Sequence, residues 1–311
     1  MKKILVTGSC GFIMSNFIKK NNENYYMIGL DKINFKHSMP ETMNNFYLAD
    51  IRDRHIIDNI FRIEKPDLIL HGAAETHVDN SLSDPSSFVT SNILGTQVLI
   101  DCAVKYNVEK FILVSTDEVY GQLEDENAKS WKEDESLNPR NPYSATKASS
   151  ELMVMAANKS HGLQYNITRS SNNYGPKQIP EKLIPKTIKS ILKNESIPVY
   201  GKGLQIRDWT YVDDNCNGLM LVLKNGKNNE AYNISANNEL TNINVVNKIC
   251  DIIGKGQELI TYIKDPRKSH DFRYSIDTTK IRNLGWLPET SFEYGLKKTI
   301  EWYLDNLWII N

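Results

Sequence analysis

The chain has 311 residues, 40% hydrophobic and 24% charged, with 37 basic against 38 acidic side chains and a formal net charge of −1. This is ordinary globular composition. At about 150 residues per domain it allows two domains, or one large domain with a smaller appendage, and roughly 75% of the unfolded surface can be buried without a disulfide or metal staple. The even charge balance excludes a general electrostatic pull toward nucleic acid or an anionic membrane, so a phosphate-bearing partner has to be held by local Lys and Arg.

The four cysteines, Cys10, Cys102, Cys216 and Cys250, are far apart and form no Cys-x-x-Cys pair. Zinc and thioredoxin-like chemistry are not expected, no metal is assigned, and the cysteines read as small apolar core residues in a reducing compartment. The opening Met1-Lys2-Lys3-Ile4-Leu5-Val6-Thr7-Gly8 resembles the start of a signal peptide, but Gly8 and Gly11 break the apolar stretch and no small-residue cleavage site follows. No run approaches the roughly 18 apolar residues that span a membrane. The reading is a soluble, cytoplasmic protein.

In chain order, residues 3–7, 25–30, 46–48, 68–71 and 111–115 read as strands. They are short and several are continuously apolar, as parallel strands buried on both faces are. Between them, 12–20, 53–64 and 86–106 carry helical periodicity. This alternation predicts an α/β fold with a doubly wound parallel sheet, the Rossmann arrangement. Residues 124–135 are acidic and read as a solvated loop; 143–159 form a further long helix and 165–169 another strand. After about Asn173, Asn, Gly and Pro become frequent and the elements shorten. The expected division is therefore a Rossmann domain over 1–173 and a smaller α/β domain over 174–311, with some of the later elements returning to the first sheet. In the second part 180–193, 212–224, 278–284 and 292–307 read as helices, and Thr241 or Asn242 caps one that runs to Ile253, with Gly254 just past its end.

Gly8-Ser9-Cys10-Gly11 lies between the first strand and the first helix. Glycines there let the backbone turn tightly and approach a pyrophosphate, whose charge sits at the helix N-terminus. Asp31 ends the next strand about 20 residues past Gly11, where an acid accepts hydrogen bonds from the adenosine ribose hydroxyls. A carboxylate there also repels a 2′-phosphate, which favours NAD over NADP. Met14 stands where a third glycine would allow close helix–strand packing. Met is flexible enough for an irregular gap, and the helix is expected to sit slightly farther out.

Tyr143-Ser144-Ala145-Thr146-Lys147 places a phenol and an amine four residues apart, on one helix face. A neighbouring ammonium together with a positive nicotinamide favours the phenolate and is expected to bring the tyrosine toward neutrality. The strand over 111–115 runs into Thr116-Asp117-Glu118. Ligands of open α/β sheets bind beyond the carboxyl ends of the strands, so this triplet should project into the nicotinamide crevice. Two adjacent carboxyls there are costly unless solvated or used.

Further motifs run through the chain: HGAAETHVDNS from His71, STDEVYG from Ser115, NPYSATKAS from Asn141, SNNYGP from Ser171, PEKLIP from Pro180, YGKGLQIRDWTYVDD from Tyr200, YNI from Tyr232, SHDFRYSID from Ser269 and LGW from Leu284. With these the whole chain resembles the extended short-chain dehydrogenase/reductases, and among them the nucleotide-sugar 4,6-dehydratases that act on dTDP-glucose or UDP-glucose. The resemblance implies three steps. Tyr143 takes the 4-hydroxyl proton as hydride passes to NAD, with Thr116 on that oxygen and Lys147 on the nicotinamide ribose. Glu118 then removes the C5 proton while Asp117 donates to the departing 6-hydroxyl. Hydride finally returns to C6, and the product feeds deoxysugar synthesis of the rhamnose type.

The resemblance also implies that Gly8, Gly11, Phe12, Ile13, Asp31, Lys32, Asp50, Ile51, Ala73, Ala74, Ser91 and Asn173 contact the cofactor. It places Thr76, Asn172, Lys182, Leu183, Tyr200, Arg207, Asn238, Arg267, His270 and Tyr274 at the nucleotide sugar, with Arg207 and Arg267 as two-pronged diphosphate clamps. Relatives often carry Pro-Gly before the His-Asp; here Lys268 and Ser269 stand there, so that loop is expected to shift. A homodimer joined through the helices 86–106 and 143–159 is implied as well, because Leu152, Met153, Val154 and Met155 give the second more apolar breadth than one core stripe requires. A 4-epimerase would share Tyr143 and Lys147 without using Asp117 and Glu118. A non-catalytic dinucleotide-binding regulator would need none of the five.

Overall fold

The computed structural model of the chain describes residues 1–33, 42–267 and 270–309. Lys268 and Ser269, the two positions of the expected loop shift, lie outside them.

The first half follows the expected alternation: β1 (Lys3–Thr7), α1 (Phe12–Asn21), β2 (Tyr26–Asp31), β3 (Asn45–Leu48), α2 (Arg54–Glu64), β4 (Leu68–His71), α3 (Val78–Ser83), α4 (Pro85–Phe88), α5 (Gly95–Lys105), β5 (Lys110–Thr116), α6 (Pro142–His161) and β6 (Tyr165–Ser170). The second half adds β7 (Asn172–Tyr174), α7 (Leu183–Lys193), β8 (Ile197–Tyr200), β9 (Ile206–Tyr211), α8 (Val212–Asn225), β10 (Glu230–Ile234), β11 (Glu239–Thr241), α9 (Asn242–Ile253), β12 (Ile260–Ile263), α10 (Thr279–Asn283) and α11 (Phe292–Asp305).

Seven strands form one sheet in the order β10-β6-β5-β4-β1-β2-β3. Every neighbouring pair is parallel. β1, β4 and β5 are almost wholly buried, since helices cover both faces, which is why they read as unbroken apolar runs. One core gathers Leu5, Ile69, Phe111 and Val154; the other gathers Ile4, Leu70, Ile112 and Leu219. β10, from the second half, is the edge strand beside β6. The rest of that half builds two small sheets, β11-β9-β7 and β12-β8, over a third core of Ile188, Trp209, Val245, Ile249, Leu296 and Tyr303.

Three local departures have clear causes. Asp53 is a cap, not a helical residue: its carboxylate accepts from the N–H groups of His55 and Ile56 at 3.1 Å, and α2 begins after it. A π-helical turn, Val89–Leu94, joins α4 to α5, so the expected single α-helix is interrupted. The acidic 124–135 loop is largely exposed but anchored, with the Trp131 N–H donating to the Ser275 carbonyl at 3.0 Å and Arg273 reaching the Ala128 carbonyl at 2.8 Å.

Pro85–Lys105, counted across the π-helical turn, has the length and mean hydropathy of a membrane span, but Ser, Thr, Asn, Gln and Asp interrupt it and no run of 18 apolar residues occurs. More than half of it is buried inside the fold, against α2 and α6, as a core helix is.

Candidate active site

A cleft of about 1680 Å³ opens at the carboxyl ends of the central strands and is closed on its far side by the small sheets. The order of the sheet reverses where β1 meets β4, and the crevice there is the ligand position of open α/β sheets.

The glycine turn lines one end. Gly8 has φ 71°, and a Cβ on it would lie 2.8 Å from the Ala73 nitrogen, so glycine alone lets the turn after β1 touch the loop after β4. A Cβ on Gly11 would press on the Gly8 carbonyl at 3.0 Å. Asp31 grips the turn as well as facing the cleft: its carboxylate accepts from the Cys10 N–H at 2.9 Å and from the Ile33 N–H at 3.1 Å. Burial pushes the Asp31 carboxyl up, and these backbone bonds hold it down. Phe12, Ile13, Lys32, Asp50, Ile51, Ala73, Ala74, Ser91 and Asn173 all line the cleft, with Lys32 paired to Glu75 and Asp50 to Arg52 at 2.6 Å.

Met14 is buried, and its side chain lies over Gly72, where a Cβ would come within 2.6 Å of the Met14 Cγ. The space that a third glycine on α1 would leave is left by a glycine on the β4 loop.

Four of the five expected catalytic residues, Thr116, Asp117, Glu118 and Tyr143, line the cleft. β5 ends at Thr116, and Asp117 and Glu118 occupy the 3₁₀ turn Asp117–Tyr120. The Thr116 hydroxyl donates to Asp117 at 3.2 Å and accepts from the Glu118 N–H at 3.3 Å. Asn141 caps α6 and Pro142 occupies its first turn, which sets Tyr143 at the start of the helix, facing the triplet. Burial, then the charges of Glu118 and Asp208, holds the Asp117 carboxyl well above the usual carboxylate range. Glu118 is raised by burial too, but the Asn141 bond, Arg207 and Lys182 pull it back. Of the two carboxyls, Asp117 is therefore the one whose surroundings favour the protonated form more.

Tyr143 departs from expectation. Burial, Glu118 and Asp117 push its phenol up, and only the Thr116 side chain works against them. Lys147 does not line the cleft; its ammonium donates to the Val114 carbonyl at 2.7 Å, and burial pushes it down to about 8. The protein's own groups thus do not bring the tyrosine toward neutrality.

At the other end Thr76, Asn172, Leu183, Tyr200 and Tyr274 line the cleft with three cations that are already engaged. Arg207 donates to the carbonyls of Ile206 at 2.7 Å and Asp271 at 2.8 Å and lies 4.3 Å from the Tyr274 ring centre. Arg267 pairs with Asp79 at 2.6 Å, and Lys182 donates to the Thr76 carbonyl at 3.0 Å. His270 bonds Asp265 at 2.6 Å. Asn238 is not among the lining residues: its backbone extends the β9–β11 pairing, with its N–H on Asp208 at 2.9 Å.

Comparison with known proteins agrees with this geometry. Residues 5–299 match the family described as GDP-mannose 4,6 dehydratase. The chain belongs to this dehydratase family. It is 42% identical to the low-salt glycan biosynthesis protein Agl12 of Haloferax volcanii, covering 97% of this chain and 98% of that one. It is also 42% identical to dTDP-glucose 4,6-dehydratase 1 of Escherichia coli K12, over 99% of this chain and 95% of that one. Among solved structures, DesIV, a dTDP-glucose 4,6-dehydratase from Streptomyces venezuelae with NAD bound, superposes with a TM-score of 0.92 at 39% identity, over 98% of this chain and 97% of that one. A UDP-glucose 4-epimerase from Thermotoga maritima reaches the same TM-score of 0.92 at 32% identity, over 98% of this chain and 99% of that one.

Within the dehydratase framework two residues escaped sequence reasoning. Asn141 donates to Glu118 at 3.1 Å while its own carbonyl oxygen accepts from the Ser144 N–H at 2.8 Å. Its place before Pro142 marks the cap, but nothing local marks the bond to Glu118. Asn92, in the π-helical turn, donates to the Glu75 carbonyl at 3.0 Å and to Thr146 at 2.9 Å, tying the β4 loop to α6. A π-turn has no sequence signature that would have pointed to it.

Proposed function

We propose that the chain dehydrates a nucleoside-diphosphate glucose, dTDP-glucose or UDP-glucose, to the 4-keto-6-deoxyglucose nucleotide, feeding deoxysugar synthesis of the rhamnose type. The chain is an NAD-dependent nucleotide-sugar 4,6-dehydratase. The observation that carries the finer reading is the pair of adjacent carboxyls, Asp117 and Glu118, in one cleft with Tyr143, the Asp117 carboxyl being pushed up the further of the two. An elimination needs one acid and one base, and two carboxyls whose surroundings push them apart supply both.

The residues fit NAD. The Gly8–Gly11 turn lines the cleft at the start of α1, where a pyrophosphate would meet a helix N-terminus, and Asp31 faces the cleft at the end of β2. The Oδ1 atoms of Asn172 and Asn173 are buried acceptors without a donor. NAD, when bound, supplies the hydride acceptor for C4, the hydride donor for C6, and a positive ring beside Tyr143. Tyr143, as phenolate, would accept the 4-hydroxyl proton, with Thr116 bonded to the same oxygen; Lys147 would have to leave the Val114 carbonyl to reach the ribose. The C4 ketone makes the C5 hydrogen acidic, and Glu118 takes it. The electron pair forms the C5–C6 double bond, and the 6-hydroxyl leaves as water with the proton of Asp117. C5 is then reprotonated. Arg207, Arg267 and Lys182 neutralise the diphosphate. Residues 1–173 act as the cofactor and catalytic domain, and 174–311 mainly as the nucleotide-sugar domain.

The 42% and 39% identities to dTDP-glucose 4,6-dehydratases support thymidine over uridine. Four buried free cysteines fit a cytoplasmic setting. Val89 and Leu94 of the π-helical turn and Leu152 and Met155 of α6 are exposed, which supports a homodimer through these helices; sedimentation as a monomer at micromolar concentration would contradict it. The deciding assay offers dTDP-glucose and UDP-glucose and weighs the product. Loss of one water is expected, and an unchanged mass points to a 4-epimerase.

A further inference from the structure

α6 carries three ionisable residues four apart, Tyr143, Lys147 and Glu151, all buried against the sheet. Glu151 is fully buried and does not line the cleft. Its carboxylate accepts from the Ser115 hydroxyl at 2.5 Å and from Arg169 of β6, with Nη2 at 2.7 Å and Nε at 3.1 and 3.2 Å. Arg169 Nη1 donates in turn to the Tyr120 hydroxyl at 2.6 Å, and that hydroxyl donates to Asn233 at 2.8 Å. The Tyr120 ring lies under the guanidinium, 4.7 Å from its centre.

Ser115 immediately precedes Thr116, and Tyr120 closes the 3₁₀ turn that holds Asp117 and Glu118. The buried pair therefore grips the triplet from both sides and ties it to the helix of Tyr143 and Lys147. Buried ion pairs add little net stability over apolar packing of the same shape, whereas a fully bonded polar network admits one arrangement.

We propose that Glu151 and Arg169 are positioning residues, which fix the distance between Thr116-Asp117-Glu118 and Tyr143-Lys147. This rests on the reading of those five as the reacting groups. Lys147 is pushed down to about 8 by burial and held up by Glu151. The other titratable neighbour is His71 of β4, pushed down to about 3 by burial and by Lys147, and bonded to Thr7 at 2.7 Å and Thr96 at 2.8 Å. Its low pKa leaves it without a charge to act on Lys147, so Glu151 is the charged group that opposes the loss of the Lys147 proton, beside the bond to the Val114 carbonyl. Removing the Glu151 charge lowers the Lys147 pKa further and moves the alkaline limb of the rate profile to lower pH.

The test uses the full chain with three variants, Ser115→Ala, Tyr120→Phe and Glu151→Gln, assayed on dTDP-glucose for product mass, kcat, KM and the pH profile. A wild type that removes no water refutes the dehydratase reading itself. With a dehydrating wild type, Ser115→Ala and Tyr120→Phe each lose one link to the triplet and keep the ion pair. Both should lower kcat by about tenfold at nearly constant KM and melting temperature, as a small misplacement of reacting groups does. Glu151→Gln should lower kcat further and shift the alkaline limb down. Wild-type kcat in both hydroxyl variants, or an unmoved limb in folded Glu151→Gln, overturns the proposal. If Glu151→Gln does not fold, the two hydroxyl variants decide it alone.

Discussion

Asn141 joins Glu118 to the helix of Tyr143: its side-chain amide donates to Glu118 at 3.1 Å, and its side-chain oxygen caps α6 at the Ser144 N–H, 2.8 Å away. One short side chain thus sets Glu118 and Tyr143 relative to each other.

Asn141→Ala should act twice. Loss of the cap costs about 1 kcal/mol of stability. The Asn141 bond lowers the Glu118 pKa, so its loss raises that pKa and leaves Glu118 protonated to higher pH. The acid limb of the dehydration rate should move up, and a pH series of single-turnover rates reads the shift. An unchanged acid limb would separate Asn141 from the base.

Asp31→Ala should narrow the preference for NAD over NADP, because the carboxylate that repels a 2′-phosphate is gone. It also removes the 2.9 Å grip on the Cys10 N–H, so NAD itself should bind more weakly. Titration of both cofactors by fluorescence measures the two effects. A wild type that binds NADP as tightly as NAD would contradict this role for Asp31.

Gly72→Ala should destabilise the glycine turn, since the new Cβ meets Met14 at 2.6 Å. Met14→Ala, made in the same chain, should restore much of the loss. The observable is the coupling in a double-mutant cycle of melting temperature and NAD affinity, expected to be large for side chains in contact. Additive losses would mean that the two positions do not exchange space.

What the sequence made legible is what depends on short spacing. The glycine turn and Asp31 lie within one strand–helix–strand unit, and Tyr143 opens a helix behind a Pro, so their place on the cleft followed from position alone, whereas Lys147, one turn on, lies on the Val114 carbonyl and not on the cleft lining. The small strands β7, β8, β11 and β12 are three or four residues long and exist through distant partners, which local pattern does not reveal. The exchange of small and large between Met14 and Gly72 joins residues on different elements. The upward push on the Tyr143 phenol comes from burial and then from Glu118 and Asp117 beside it, which spacing from Lys147 does not report. Arg207 reads as a bare clamp in the sequence but is already bound to three backbone carbonyls in the fold.

The central claim is the division of labour among Tyr143, Asp117 and Glu118, and a single-turnover record of NADH absorbance alongside product mass tests it most directly. Tyr143→Phe should give no NADH. Asp117→Asn and Glu118→Gln should leave the first hydride transfer largely intact and slow elimination by about 10²–10⁴-fold, the usual worth of a placed acid or base. Bound NADH and the unreduced 4-keto-glucose nucleotide should then accumulate, and because adjacent carboxyls are coupled the double variant need not be additive. Normal turnover by both single variants, with no build-up of NADH, would contradict the account and leave the 4-epimerase as the better reading.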